Sequence, residues 1–203
     1  HLEICSGRVS VLLGDNGSGK STIAWLIQRF YQPSAGKLLI NGMDAGTFSL
    51  DAYRARIGFV PQRIKIFNQS LAFNICMDQS REKDGYRDLV AWCARHGFDR
   101  YFLQFPQGYE TLPGEDGNNI SGGQRQLVGL ARALYRDPDL LILDETTSSM
   151  DREMARFTMD LLRRIGRERI ILYITHRIET ALEADRILIL ENGRITDQGS
   201  PGE

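Results

Sequence analysis

The chain has 203 residues, the size of one large domain or of a domain with a subdomain, and long enough to bury a substantial core. Its 25 basic and 26 acidic residues nearly cancel, so no long-range field draws it to DNA or an anionic bilayer, and nucleic acid is not an expected partner. Apolar runs such as Ile170 to Ile174 are far shorter than the roughly 20 residues of a membrane-spanning helix, and the scattered Cys5, Cys76 and Cys93 suggest neither a disulfide framework nor a zinc site but fit a reducing cytosol.

The first residues, HLEICSGRVS, carry no signal-peptide pattern and run almost directly into a strand, an abrupt start that leads us to expect a piece of a longer chain. Val9 to Leu13 reads as a short buried strand that ends in a glycine loop, after which Ile23, Leu26, Ile27 and Phe30 follow at helical spacing. Ile57 to Val60, Leu140 to Leu143, Ile170 to Ile174 and Ile187 to Leu190 are aliphatic runs without polar alternation, as expected of strands covered on both faces in a parallel sheet. Between the first two of these runs, helical patterns dominate. They include YRDLVAWCARHGF, with His96 expected at a helix end, and the run after Ser121, where Leu127, Leu130, Ala131 and Leu134 fall at i, i+3, i+4 and i+7. The expected fold is α/β: a mostly parallel sheet core from residues 1–66 and 136–203, with a helical subdomain at 67–135 inserted into it.

The loop is GDNGSGKST. Gly14, Gly19, Lys20 and Ser21 satisfy G-x-x-x-x-G-K-[ST], with Asp15, Asn16, Gly17 and Ser18 between them and Thr22 after. In this pattern glycines let backbone N–H groups turn onto phosphates, Lys20 can reach the β and γ phosphates, and the Ser21 hydroxyl can ligate Mg²⁺. The strand before it and the amphipathic helix after it are the required context, so ATP or another nucleotide is the expected ligand of a P-loop NTPase core. Asp144 and Glu145 end the strand LLILDE. Alone, two acids there equally describe a solvated strand end; beside a phosphate loop, Asp144 is the metal-side candidate and Glu145 the candidate general base for an in-line water.

A second helix start, NNISGGQRQ at Asn118 to Gln126, has Ser121 and Gln124 spaced as a capping box, and a helix start is an anion site. One small chain thus shows two phosphate cradles.

Taken together, GDNGSGKST, VPQ with Gln62, NISGGQRQ, LLILDETTSSMD and YITHR with His176 resemble, in order and spacing, the motif series of an ATP-binding cassette (ABC) ATPase over nearly the whole chain. By itself Gln62 reads as an ordinary loop residue and His176 as a structural histidine. The resemblance implies that Gln62 senses Mg²⁺ and the attacking water, and that His176 is the switch histidine at the γ-phosphate. It also implies that Ser121, Gly122, Gly123 and Gln124 form the signature, with Ile120 in place of leucine, and that Ser148 to Asp151 form the loop that communicates between sites. Arg125 is expected on the signature helix surface, with no catalytic role. The cassette implied uses ATP and Mg²⁺, with Ser21, Gln62 and Asp144 on the metal side.

The stretch from Ser21 to Ser121 holds no sustained heptads, unlike the coiled-coil DNA-repair relatives. Thr111, Gly114, Glu115 and Gly117 resemble the T-x-x-G-E-x-G segment of exporters, and IFNQSLAFNI resembles their F-x-x-S/T-x-x-x-N-I stretch. The likeness is closest to bacterial peptide or protein exporters, including those with a peptidase domain. The resemblance implies a second cassette, most simply a homodimer, and a transmembrane domain in the same full-length chain, at the cytoplasmic face of a bacterial inner membrane. The alternative is a non-transport or regulatory ATP-dependent dimerisation module with little turnover. Only thirteen residues precede Gly14, so the family's upstream adenine-stacking aromatic is expected to be missing and ATP to bind more weakly than to a complete cassette. In the head-to-tail arrangement the signature serves the partner's ATP, and a bulky change at Gly123 is expected to spare ATP binding while abolishing hydrolysis.

Overall fold

The computed structural model describes residues 1–80 and 86–202, so that 81–85, inside the expected helical subdomain, lie outside the described residues. The described chain forms two compact units.

The first unit, built from 1–59, 138–145 and 162–203, is organised around a six-stranded sheet. Its strands are β1 (Val9–Leu13), β4 (Ile57–Val60), β5 (Leu140–Asp144), β6 (Ile170–Thr175), β7 (Arg186–Glu191) and β8 (Arg194–Gly199), in the order β4-β5-β6-β1-β7-β8. The short β2 (Leu39–Ile40) and β3 (Met43–Asp44) form a separate antiparallel pair. β5, β6, β1 and β7 run parallel, and β8 returns antiparallel to β7 through the turn Asn192-Gly193. Both turn residues have positive φ, 50° and 76°, the backbone that an Asn-Gly hairpin supplies at least cost. Every aliphatic run expected to be a strand is one. Val11, Leu12, Leu141, Ile142, Ile171 and Leu172 are fully buried, which explains the lack of polar alternation.

α1 (Lys20–Ile27) presses Ala24 and Ile27 into the core with Leu12, Ile142, Leu172, Ile174, Leu188 and Leu190. It is shorter than the apolar spacing suggested. The helix ends at Ile27, Arg29 turns left-handed with φ of 57°, and Phe30 is exposed. α2 (Leu50–Ala55) supplies the reason: the Arg54 guanidinium donates to the Gln28 and Arg29 carbonyls at 3.1 Å each and covers the Phe30 ring at 4.5 Å. Arg54 thus satisfies two carbonyls past the helix end, and Pro33, which has no N–H, could not have bonded the Arg29 carbonyl in a longer helix.

The second unit, 60–137 with 146–161, holds α3 (Leu71–Cys76), α4 (Arg87–His96), α5 (Asp99–Phe102) and α6 (Gly122–Tyr135). α7 (Arg152–Gly166) begins in this unit and ends in the first, and α8 (Ile178–Ala181) belongs to the first. Leu127, Leu130, Ala131 and Leu134 are buried along α6 as their spacing predicts. His96 closes α4, where its Nδ1 lies 2.8 Å from the Trp92 carbonyl and its ring stacks on Trp92. The exporter-like stretch has a structural meaning here. Ser70 caps α3, and the buried Asn74 side chain donates to the carbonyls of Phe67, Gln69 and Ser70 and accepts from the Phe67 amide. Arg132 of α6 then reaches the Asn74 carbonyl at 2.6 Å, and burial lowers its pKa.

Candidate functional site

β1 leaves the sheet at Leu13, and the chain turns through residues 14–19 before α1 begins. A Cβ on Gly14 would collide with the Leu190 carbonyl oxygen and lie 2.7 Å from Ser18 Oγ, so only glycine lets the loop pass this close to β7. The Ser18 amide donates to the Asp15 carbonyl at 3.1 Å, and the Gly193 amide in the β7–β8 turn donates to the Ser18 carbonyl at 2.9 Å, which fixes the loop from two directions. Ser18 Oγ is buried without a hydrogen-bond partner. At the N-cap, Gly19 has no side chain to offer and the first turn has no acid, so the leading N–H groups of α1 keep their capacity and the helix end its positive partial charge. Lys20 is only 8 % exposed, and its Nζ donates to the Gly14 and Asp15 carbonyls at 2.7 and 2.8 Å. An orphaned buried hydroxyl, an uncapped helix start and a buried ammonium folded over a loop that a Cβ would fill together fit a phosphate.

The neighbouring strand ends bring the acids. Leu13 is in register with Thr175, and Asp144 with Ile174, so the residues following β1, β6 and β5 emerge at one edge, the carboxyl ends of parallel strands. Burial pushes the Asp144 pKa up, the neighbouring Glu145 charge pushes the same way, and Lys20 partly offsets both. Asp144 together with the hydroxyl of Ser21, exposed in the first turn of α1, offers the hard oxygen donors that Mg²⁺ prefers. Glu145 itself sits at φ of 51°, a left-handed conformation uncommon for a non-glycine residue, with its amide donating to the Ile174 carbonyl at 2.9 Å. Its carboxylate pairs directly with His176 Nδ1. Glu145's side chain is 11 % exposed and that of His176 44 %, so the histidine is the more open of the two. With Nδ1 as donor to the carboxylate, Nε2 points the other way.

In the second unit, Ser121 starts α6 with a complete capping box. The Gln124 amide donates to Ser121 Oγ at 3.1 Å, and the Ser121 amide donates to Gln124 Oε1 at 2.7 Å. Ser121 is exposed, whereas Gly123 is buried against residues 149–154. A Cβ there would lie 3.0 Å from Met154 Sδ and 3.1 Å from the Ser149 carbonyl. A bulky change at Gly123 therefore disturbs packing within its own unit, and Ser121 is the cleaner probe of the signature. Asp151 caps the start of α7 by accepting from the Met154 amide at 2.8 Å, and Arg125 donates to the Gly117 carbonyl at 3.1 Å.

The ABC transporter family profile matches residues 1–148. The chain belongs to the ABC transporter family. Over all 203 residues it is 39 % identical to an ATP-dependent lipid A-core flippase of Chromohalobacter salexigens, covering 34 % of that protein. It is 37 % identical over 199 residues, 98 % of the chain, to the heterocyst differentiation ATP-binding protein HepA of a Nostoc species, covering 32 % of it. Among solved structures, a bacterial Atm1-family ABC exporter with ATP bound superposes with a TM-score of 0.87 at 33 % identity, over 98 % of this chain and 35 % of the other. The cassette thus spans about a third of the length of these relatives.

Within the cassette, the first unit gathers Gly14, Asp15, Asn16, Gly17, Ser18, Gly19, Lys20, Ser21 and Thr22 with Asp144, Glu145 and His176, while Gln62, Ser121, Gly122, Gly123 and Gln124 belong to the second. Three features escaped the sequence reading: the left-handed turn at Glu145, its direct pairing with His176, and Gln126. The last is 4 % exposed, and its Nε2 donates to the Gln62 carbonyl at 2.6 Å. A signal for it existed. Gln126 lies on the stripe of Gly123, Leu130 and Ala133, and a polar side chain on a buried helix face requires a partner.

Proposed function

We propose that this cassette hydrolyses ATP and thereby powers export across a membrane. The observation that carries the reading is the meeting of the phosphate loop, the Asp144–Glu145 pair and His176 at the carboxyl ends of β1, β5 and β6. In this reading residues 14–22 cradle the ATP phosphates with backbone N–H groups, Lys20 swings from the loop carbonyls to the β and γ phosphates, and Glu145 draws the proton of a water in line with the γ-phosphate. His176 holds the Glu145 carboxylate through Nδ1 and presents Nε2 toward the γ-phosphate. Ser21, Asp144 and Gln62 would hold Mg²⁺, which neutralises phosphate charge when bound. Gln62 is assigned to sensing that ion and the water.

Two such cassettes act head to tail, with Ser121, Gly122, Gly123 and Gln124 of one completing the ATP site of the other. The helical subdomain is assigned to 67–135, set into a core of 1–66 and 136–203. The partner is a second copy of this chain, most simply in a homodimer, and a transmembrane domain of the same full-length protein receives the work at the cytoplasmic face of a bacterial inner membrane. The relatives named above support an exporter; none of their names mentions a peptide, and the residues of a cassette serve the nucleotide rather than the cargo. Phosphate release from the whole transporter tests the chemistry. Glu145→Gln is expected to keep ATP, accumulate the dimer and lose turnover by about 100-fold or more. A variant that hydrolyses at the parent rate removes Glu145 as the base.

A further inference from the structure

We infer that Gln126 is a positioning residue that fixes the backbone at Gln62, and so links the start of the signature helix to the residue proposed to sense Mg²⁺ and water; the inference rests on that proposed role. Gln126 stands in the second turn of α6, and its amide spans 64 positions of sequence to donate to the Gln62 carbonyl at 2.6 Å. The residue is nearly fully buried, and its Oε1 has no hydrogen-bond partner. A buried carbonyl left unpaired is destabilising, and its neighbours Leu127 and Leu130 show that this region of α6 accepts apolar side chains. Stability alone does not select glutamine here. The donated hydrogen bond does, because the Gln62 carbonyl lies in a loop segment where Gln62 and Arg63 are both exposed and Ile64 is half-buried.

A second contact marks the same face of the helix. Gly129, three positions beyond Gln126, packs directly under the Ile64 side chain, which would have to move to admit a Cβ. The loop after β4 is thus held to α6 at two points, one polar at Gln62 and one apolar at Ile64. Ser121, at the exposed start of the same rigid helix, lies five positions before Gln126. All of these residues belong to one compact unit. A displacement of the signature start therefore moves the anchor of Gln62 with it, whereas the side chain of Gln62 keeps its own interactions.

The test uses the whole transporter with four forms: parent, Gln126→Met, Gln62→Ala and the double variant. Methionine keeps the volume and removes the donor. We expect Gln126→Met to lower kcat about tenfold, as loss of an orienting partner does, with the KM for ATP nearly unchanged. The double variant should be no slower than Gln62→Ala alone, because the two residues act as one unit. Amide hydrogen exchange supplies a readout independent of turnover: exchange at Gln62 and Arg63 should quicken in Gln126→Met while Leu127 to Leu134 stay protected. Gln126→Leu, which removes the donor and matches the apolar neighbours Leu127 and Leu130, replaces the methionine variant if that variant melts early. Independent, multiplicative losses of kcat, or unchanged exchange at Gln62 and Arg63, overturn the inference. If Gln62→Ala turns over at the parent rate, the proposed role of Gln62 itself fails, an outcome the exchange arm separates from failure of the Gln126 contact.

Discussion

Two helices of this chain open on glycine-rich stretches, and they begin in opposite states. α1 starts at Lys20 with no capping side chain, no acid in its first turn and a buried ammonium folded back over its loop. α6 starts with Ser121 and Gln124 satisfying each other's backbone amides. The first start leaves its N–H groups for something outside the protein, while the second is complete in itself and exposed at Ser121. That difference explains how two phosphate-like cradles coexist in one cassette. In the proposed reading the α1 loop encloses a phosphate, and the α6 start, a finished surface, closes over a phosphate held by another copy.

The largest expected effect comes from breaking the enclosing loop. Gly14→Ala forces a Cβ into the Leu190 carbonyl, so nucleotide binding should be lost and the chain destabilised by about 3 kcal/mol, measured by denaturant unfolding. An unchanged midpoint would mean that the loop adjusts freely and is no fitted cradle. A smaller effect sharpens the electrostatic half of the comparison. The Asp144 pKa is raised in the folded chain by burial first, then by Glu145, with Lys20 opposing. The folded state therefore holds this proton more tightly than the unfolded one, and stability falls as pH rises from the ordinary aspartate range, about 4, through the raised value. Asp144→Asn should remove that fall and be more stable than the parent at neutral pH, while losing Mg²⁺-dependent ATP binding. Melting curves across pH check the sign, and a variant less stable than the parent at neutral pH would contradict it.

Much of this was legible in the sequence for identifiable reasons. The aliphatic runs at Val9, Leu140 and Ile170 lack alternation because both faces of a central parallel strand are buried, and they are legible as strands because runs of five or six residues are too short for a buried helix. The start of α6 was legible because a capping box is local: two side chains three positions apart decide it. The end of α1 was not, since Arg54 reaches it from elsewhere in the chain. The same holds at the site. Lys20 and Ser21 follow from a contiguous motif, but the Glu145–His176 pair depends on the register of β5 against β6, and the left-handed backbone of Glu145 has no marker in its residue type. The Gln126–Gln62 contact joins residues 64 positions apart and shows in sequence only as one polar side chain on an apolar stripe.

The central claim is that α1 of one copy and α6 of another share a single ATP. Mixing two inactive forms of the whole transporter tests it directly. Lys20→Ala removes the phosphate-loop cation, and Ser121→Ala removes the signature hydroxyl at a cost of about 1 kcal/mol of capping, which a melting curve verifies as tolerable. In a mixed dimer one site combines the intact Lys20 of one copy with the intact Ser121 of the other. Co-assembly of the two forms is therefore predicted to restore phosphate release that neither form shows alone. Release no greater than the sum of the separate forms, in dimers shown to be mixed, would place Lys20 and Ser121 at the same copy's ATP and contradict the account.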